Sequence, residues 1–135
     1  MKPTFLCHKN PLLVSMIQAE NPSRAISEII NSNFDGAEAF GRFKPEFQTA
    51  ETYRNVFSYV EDKPIYITNY RTVYNKGQTD VQLADGLMLA LKNGATLCDV
   101  MGDMFDPSPL ELTKSPVAVE KQKKLIDEIH SRGGE

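Results

Sequence analysis

PIYITNYR (residues 64–71), followed by TDVQLADGLMLALKNG (residues 79–94), is the stretch that best indicates the fold. The first segment is rich in β-branched and aromatic residues, which favours a strand. The second opens with Thr79 and Gln82 at the spacing of a capping box, and it ends at Asn93-Gly94, a common helix ending. The stretch therefore predicts one strand followed by one helix.

The same strand-then-helix pattern recurs at three other places in the chain. The other predicted strands are LLVSMIQ (12–18), GAEAFGRF (36–43) and ATLCDVMGDMF (95–105). Two of the helices that follow begin with a capping residue and a proline, at Asn21-Pro22 and at Ser115-Pro116. We predict an α/β fold in a single domain over residues 1–135, with four consecutive βα units around a parallel sheet. Four such units form a small open sheet or half of a (βα)8 TIM barrel, whose exposed edge strands would need a partner.

Composition and charge exclude several classes of partner. The 135 residues carry a net charge of -3 with a pI near 5.4, whereas nucleic-acid binding needs a clustered basic face. No apolar run approaches the ~20 residues of a membrane span. Cys7 and Cys98 are too few for a disulfide framework and suggest a reducing compartment. We predict a soluble, cytoplasmic protein that binds neither nucleic acid nor membranes.

Four polar residues lie in or next to the predicted strands, where apolar residues are the rule. Ser15 interrupts the first strand, Glu38 the second, Arg71 closes the third, and Asp99 lies in the fourth. Each has an ordinary explanation as a tolerated or solvent-facing residue, but burying a carboxylate without a partner is costly. On one shared edge of the sheet they would form a polar, substrate-binding pocket.

Other chemistry has weaker support in the sequence. Asp99, Asp103 and Asp106 suggest an oxygen-ligated divalent cation as an alternative, but no histidine or glutamate falls at a matching spacing. Cys98 would need a base to act as a nucleophile, and both histidines are distant in sequence. Neither the phosphate-loop pattern nor a dinucleotide fingerprint is present. We predict no metal site and no cofactor.

With these residues in place, the chain resembles the N-terminal half of the type I 3-dehydroquinate dehydratases, which are Schiff-base lyases of the shikimate pathway. LLVSMIQ, FDGAEAF, KPIYITNYR and ATLCDVMGDMFD match the first four strands in order and spacing. The resemblance implies a (βα)8 barrel with its site at the C-terminal ends of the strands. It matches Ser15, Glu38, Arg71 and Asp99 to family residues of the substrate pocket, for a polyhydroxylated cyclic carboxylate.

The resemblance also has departures. Phe40 stands where the family has an arginine, with Arg42 as a stand-in two positions later, and Asn75 and Met101 replace acidic residues. The family's imine lysine and its catalytic histidine would fall beyond Glu135. We therefore expect this chain alone to lack the dehydratase activity.

Two alternatives to a dehydratase half remain open. In the first alternative, the chain is a non-catalytic module that pairs through its sheet edges with a second copy or with a complementary C-terminal half. Otherwise it is an α/β domain that binds a small ligand or metal through Glu38, Arg71, Asp99 and Asp103.

Overall fold

Four parallel strands form one sheet in the order β1-β2-β3-β4. The computed structural model describes residues 3–32, 36–41, 43–72 and 74–135. The strands are β1 (Val14–Gln18), β2 (Ala37–Gly41), β3 (Ile65–Thr68) and β4 (Leu97–Cys98). A helix follows each strand, so the predicted α/β fold of four βα units is confirmed.

The helices begin where the sequence signals predicted. They are α1 (Pro22–Ser32), α2 (Ala50–Phe57), α3 (Asp80–Lys92) and α4 (Pro116–Ser131), with a short 3₁₀ helix over Pro45–Phe47. The capping box of Thr79 and Gln82 is formed at α3, and the Ser115 side chain caps α4. These side chains satisfy backbone N–H groups that have no partner within the helix. None of the described helices is long and apolar enough to cross a membrane.

All four helices pack on one face of the sheet, which we call the covered face. Consecutive strand order with right-handed crossovers requires this of α1, α2 and α3, because each of these helices returns on the same side. The helix α4 follows the last strand and joins the same core through Leu125 and Ile129. Ile17, Phe40, Ile65 and Ile67 of the strands share one core with residues of every helix. Phe40 packs against Phe57 of α2, with ring centroids 5.2 Å apart.

The opposite face of the sheet, which we call the open face, is arranged in three rows. Side chains alternate between faces along a strand, so the register defines each row. The bottom row is Val14 and Ala37; the middle row is Met16, Ala39, Tyr66 and Leu97; the top row is Gln18, Gly41 and Thr68. The lower two rows contain no charged residue, and Val14 and Met16 are 47% and 51% exposed. The top row lies at the C-terminal ends of the strands and is polar.

Glu135 pairs with the outer edge of β4. Its backbone N–H donates to Thr96 and its carbonyl accepts from Cys98, at 2.9 and 3.1 Å. Its carboxylate accepts hydrogen bonds from the Thr4 hydroxyl and from the backbone N–H of Phe5, the latter at 2.8 Å. The beginning of β4 is therefore covered on its outer side, while β1 ends the sheet on the other side in the described part of the chain.

Candidate functional site

Two of the four predicted site residues meet at the C-terminal edge of the sheet. Arg71 follows β3 and Asp99 follows β4, and both line a cavity of about 380 Å³, which we call the β4 cavity. Continuing the β3–β4 register by one residue places Asp99 beside Thr68 of the top row. These two residues therefore line one cavity, and their part in substrate binding stays a prediction.

Ser15 and Glu38 lie elsewhere. They are register partners in the first half of their strands, on the covered face. Glu38 is fully buried, and its Oε1 lies 3.3 Å from Nζ of Lys63, which precedes β3 at the opposite edge of the sheet. The pleat explains the placement, because Glu38 precedes Phe40 by two residues and points the same way, toward the helices. The structure thus separates Ser15 and Glu38 from the edge where we expected them, and their part in ligand binding stays a prediction.

Arg71 clamps two segments together. Its Nε and one terminal nitrogen donate to Asp80 at the start of α3, at 2.8 and 2.7 Å. The terminal nitrogens also donate to the carboxylate and the backbone carbonyl of Asp103, at 2.8 and 3.0 Å. These bonds join α3 to the β4–α4 loop (residues 99–115), which carries Asp99. Since two carboxylates surround one guanidinium, Arg71 offers an incoming anion little net attraction.

Pairing with Arg71 keeps the carboxyl groups of Asp80 and Asp103 ionised. Hydrogen bonding from Arg71 lowers the pKa of Asp80 more than burial raises it. Burial raises the pKa of Asp103, but bonds from the Ser108 N–H and from Arg71 bring it below the usual value. The pairing therefore stabilises the charged form of each carboxylate.

Asp99 raises the pKa values of three neighbouring acidic groups. Its negative charge raises the pKa of Tyr70. Burial, and then the same charge, raises the pKa of Tyr66 to about 12 and that of Cys98 to about 12. Both phenols are protonated near neutral pH, as ordinary tyrosines are, and can donate hydrogen bonds. The Cys98 thiol is a poor nucleophile, since the thiolate is the reactive form.

Three buried oxygen atoms at this edge make no hydrogen bond of regular geometry with the described residues: Thr68 Oγ1, Thr72 Oγ1 and Asp99 Oδ1. The Tyr66 phenol interacts with the Thr68 hydroxyl and the Asp99 carboxylate, and the Tyr70 phenol with Asp99, so these phenols compete with a ligand for two of the three side chains. Buried polar atoms are nearly always paired, so each one requires an explanation. Asp99 and Thr72 line the β4 cavity. Thr68 lines a second cavity of about 430 Å³ above the first three strands, which we call the β1–β3 cavity. Tyr70 lines both cavities, so they adjoin at its ring.

Glycine provides the space in the β1–β3 cavity. Gly41 is the top-row residue of β2 and stands opposite Thr68 and Gln18. A methyl group there would approach Thr68 Cγ2 to 3.9 Å, an ordinary contact that would project into the cavity. The absence of a side chain leaves a gap in an otherwise continuous row.

Buried amides hold the segment that carries Tyr70. Asn75 donates to Asn69 Oδ1 at 2.8 Å and to the Tyr70 carbonyl at 2.7 Å, and Gln48 donates to Asn75 at 3.3 Å. Asn75 is thus structural here, at the position where the family resemblance expected a glutamate. Met101 lines the β4 cavity and Phe40 belongs to the core, whereas Arg42 lies outside the described residues.

Two of the three aspartates that suggested a cation are bonded to separate partners. Asp103 is bonded to Arg71 and to the Ser108 N–H, and Asp106 accepts from the Thr113 hydroxyl at 2.5 Å. Among residues 3–32, 36–41, 43–72 and 74–135, no three His, Cys, Asp or Glu side chains are placed to hold a metal ion.

Several residues of the two cavities carry no sequence signal that we used, among them Arg24, Thr68 and Tyr70. Thr68 and Tyr70 both fall near the end of the predicted third strand, so their position at a strand end was a usable signal. Arg24 is in a helix, and only the packing of α1 brings it to the site.

Comparison with known proteins leaves the family undefined. No protein-family model matches the chain, and no curated protein matches it. The function must therefore be inferred from the chemistry of the two cavities.

Proposed function

We propose that this chain binds a polyhydroxylated cyclic carboxylate at the C-terminal edge of its sheet, as part of a (βα)8-type lyase similar to the type I 3-dehydroquinate dehydratases. The observation that carries the proposal is the set of three buried oxygens on Thr68, Thr72 and Asp99 that make no hydrogen bond of regular geometry with the described residues. Leaving such an atom without a hydrogen bond costs about 1–3 kcal/mol, which ligand hydroxyl groups would recover. Open parallel sheets and barrels both bind ligands at this edge.

The chemistry of the edge suits hydroxyl groups. The Asp99 carboxylate accepts hydrogen bonds, threonine hydroxyls both accept and donate, and the Tyr70 phenol, which lines both cavities, can donate. At such a site, each hydroxyl group of a ring can donate one hydrogen bond and accept another. Such a site discriminates strongly against an analogue that lacks a hydroxyl group, because a buried polar group of the protein is then left unpaired.

The described residues bind and orient the ligand and do not perform imine chemistry. Of those that line the two cavities, none is a lysine or a histidine. We therefore assign the dehydratase steps to residues other than these. With two free thiols on Cys7 and Cys98, we place this activity in the cytoplasm.

Calorimetric titration with shikimate tests the proposal. We expect saturable heat with the wild-type chain and at least about tenfold weaker binding for Asp99→Asn, since a charged acceptor is worth about 1.5–3 kcal/mol. Asp127→Asn, an exposed aspartate on α4, is the matched control and should bind normally. Absence of heat, or equal affinity in both variants, would exclude a site at Asp99. A parallel titration with Mg²⁺ separates this function from cation binding.

Gly41→Ala gives a second, independent test. The added methyl group enters the β1–β3 cavity without a close contact, and alanine is favoured over glycine in a strand. We expect unchanged or slightly increased stability together with weaker shikimate binding. Undiminished binding would show that the ligand does not occupy the space beside Gly41.

A second candidate function is self-association through the open face. We propose a second copy as the partner, because the bottom and middle rows are uncharged and bury no charge when two copies meet. The exposed Val14 and Met16 supply apolar area, worth roughly 25 cal/mol per Å². Sedimentation equilibrium should show a mass that rises with concentration in the wild type and not in Met16→Glu. A wild-type monomer at all concentrations would exclude this function.

A further inference from the structure

The two cavities differ in their charged groups. Asp99, Asp103 and Glu111 line the β4 cavity, and the cation among its described lining residues is Arg71, which is already bonded to two carboxylates. An excess of negative charge opposes an anionic ligand group there. The oxygen atoms of Thr68, Thr72 and Asp99 can bind the hydroxyl groups of an uncharged ring. A ligand carboxylate, in contrast, needs a cation outside the β4 cavity.

The β1–β3 cavity offers such a cation in Arg24. Its side chain lines the cavity from the first turn of α1 and is 68% exposed. Its Nε donates to Glu28 Oε1 at 3.0 Å, and this is its one hydrogen bond through the side chain to the described residues. The first turn of α1 carries no acidic residue, so the helix end adds to the positive potential.

The carboxylate that shares this cavity is already neutralised. Glu20 lies 3.2 Å from Lys44 Nζ and accepts a hydrogen bond from the Tyr74 hydroxyl. Hydrogen bonds from Tyr74 and Lys44 lower the pKa of Glu20, so it remains ionised and bound to them. Glu20 also attracts Arg24 electrostatically, but this is the smallest of the interactions that shift its pKa, so its main partners are Tyr74 and Lys44.

We propose that Arg24 binds the carboxylate of the ligand in the β1–β3 cavity, while the ring hydroxyls reach Thr68, Thr72 and Asp99. The proposal rests on the proposed function and assigns its anion-binding residue. Guanidinium groups suit this task because they can bond both oxygens of a carboxylate. Arg71, the arginine indicated by the sequence, instead positions the β4–α4 loop.

The test compares shikimate with its methyl ester, which has the same hydroxyl groups and no charge. The preference for the acid over the ester is measured by calorimetry for the wild type, Arg24→Gln and Arg132→Gln. Arg132 is a close control, because it is also an exposed arginine that pairs with a glutamate four residues away. Arg24 pairs with Glu28, and Arg132 pairs with Glu128. We expect Arg24→Gln to reduce the preference about tenfold or more, and Arg132→Gln to leave it unchanged.

A second variant tests the same contact from the other side. Glu28→Gln removes the carboxylate that competes for the Arg24 guanidinium, so it should strengthen acid binding by about twofold, as expected for an exposed pair. Glu128→Gln, the equivalent change beside Arg132, should not alter it.

The outcomes separate this inference from the proposed function. If Arg24→Gln weakens acid and ester equally, or weakens neither, Arg24 does not bind the carboxylate and the inference fails. The proposed function then still holds, provided that Asp99→Asn weakens both ligands. If neither ligand binds the wild-type chain, both the proposed function and the inference are overturned.

Discussion

Replacing Gly86 with alanine should destabilise the protein, although the same change at most helical sites stabilises it. Gly86 lies in the middle of α3, where alanine is favoured by about 1 kcal/mol. A Cβ atom at this position would lie 2.6 Å from Asn69 Nδ2 and 3.1 Å from Gln48 Oε1. Asn69 is buried and donates to the Leu83 carbonyl at 3.0 Å, so its amide cannot move without losing that bond.

The magnitude follows from opposing contributions. Overpacking costs about 1–3 kcal/mol, and displacing a buried amide from its partner costs about 1–3 kcal/mol. Against these stands the helix-propensity gain of about 1 kcal/mol. We expect the free energy of unfolding of Gly86→Ala to fall by about 1–5 kcal/mol. Displacing Asn69 would also disturb the binding site, because Asn69 bonds to Asn75, which donates to the Tyr70 carbonyl.

Urea unfolding followed by circular dichroism measures the change. Asp85→Ala, at the exposed neighbouring position of α3, reports helix propensity alone and should be neutral or slightly stabilising. In an Asn69→Ala background the obstructing amide is absent, so the penalty of Gly86→Ala should shrink. A stabilising Gly86→Ala, or an equal penalty in both backgrounds, would refute the reasoning.

Three further changes have defined outcomes. Lys63→Met leaves the buried Glu38 carboxylate without its 3.3 Å partner and should lower the free energy of unfolding by about 3 kcal/mol, measured in urea. The two carboxylates bonded to Arg71 have lowered pKa values, so their stabilisation is full above about pH 4 and is lost as the pH falls further. Arg71→Met should therefore raise the pH midpoint of acid unfolding. Asp99→Asn should lower the pKa of Tyr70, measured by tyrosinate absorbance, because the carboxylate is the main cause of its rise.

Controls decide how these results are interpreted. The double change Lys63→Met with Glu38→Gln should recover stability, since no buried charge is left; an equal loss would show that packing of the Lys63 stem matters instead. Arg132→Met removes an exposed pair and should leave the acid midpoint unchanged. An unchanged Tyr70 titration in Asp99→Asn would show that the two side chains do not interact.

The sequence carried enough local information for the order of elements. Alternating apolar and amphipathic segments, with capping residues at Thr79 and Ser115, indicated four βα units, because caps and periodicity act over a few neighbouring residues. The sequence also indicated that Arg71 and Asp99 lie near one edge of the sheet, because both come near the ends of parallel strands, and their part in ligand binding stays a prediction.

Only the tertiary structure decided how the polar residues are used. The pleat and register direct Glu38 toward the helices and Lys63, and the packing of α3 and the β4–α4 loop engages Arg71 with Asp80 and Asp103. Arg24 reaches the β1–β3 cavity only because α1 packs beside β1. Local sequence determines which segments are strands and helices, whereas side-chain partners depend on contacts between segments far apart in the chain.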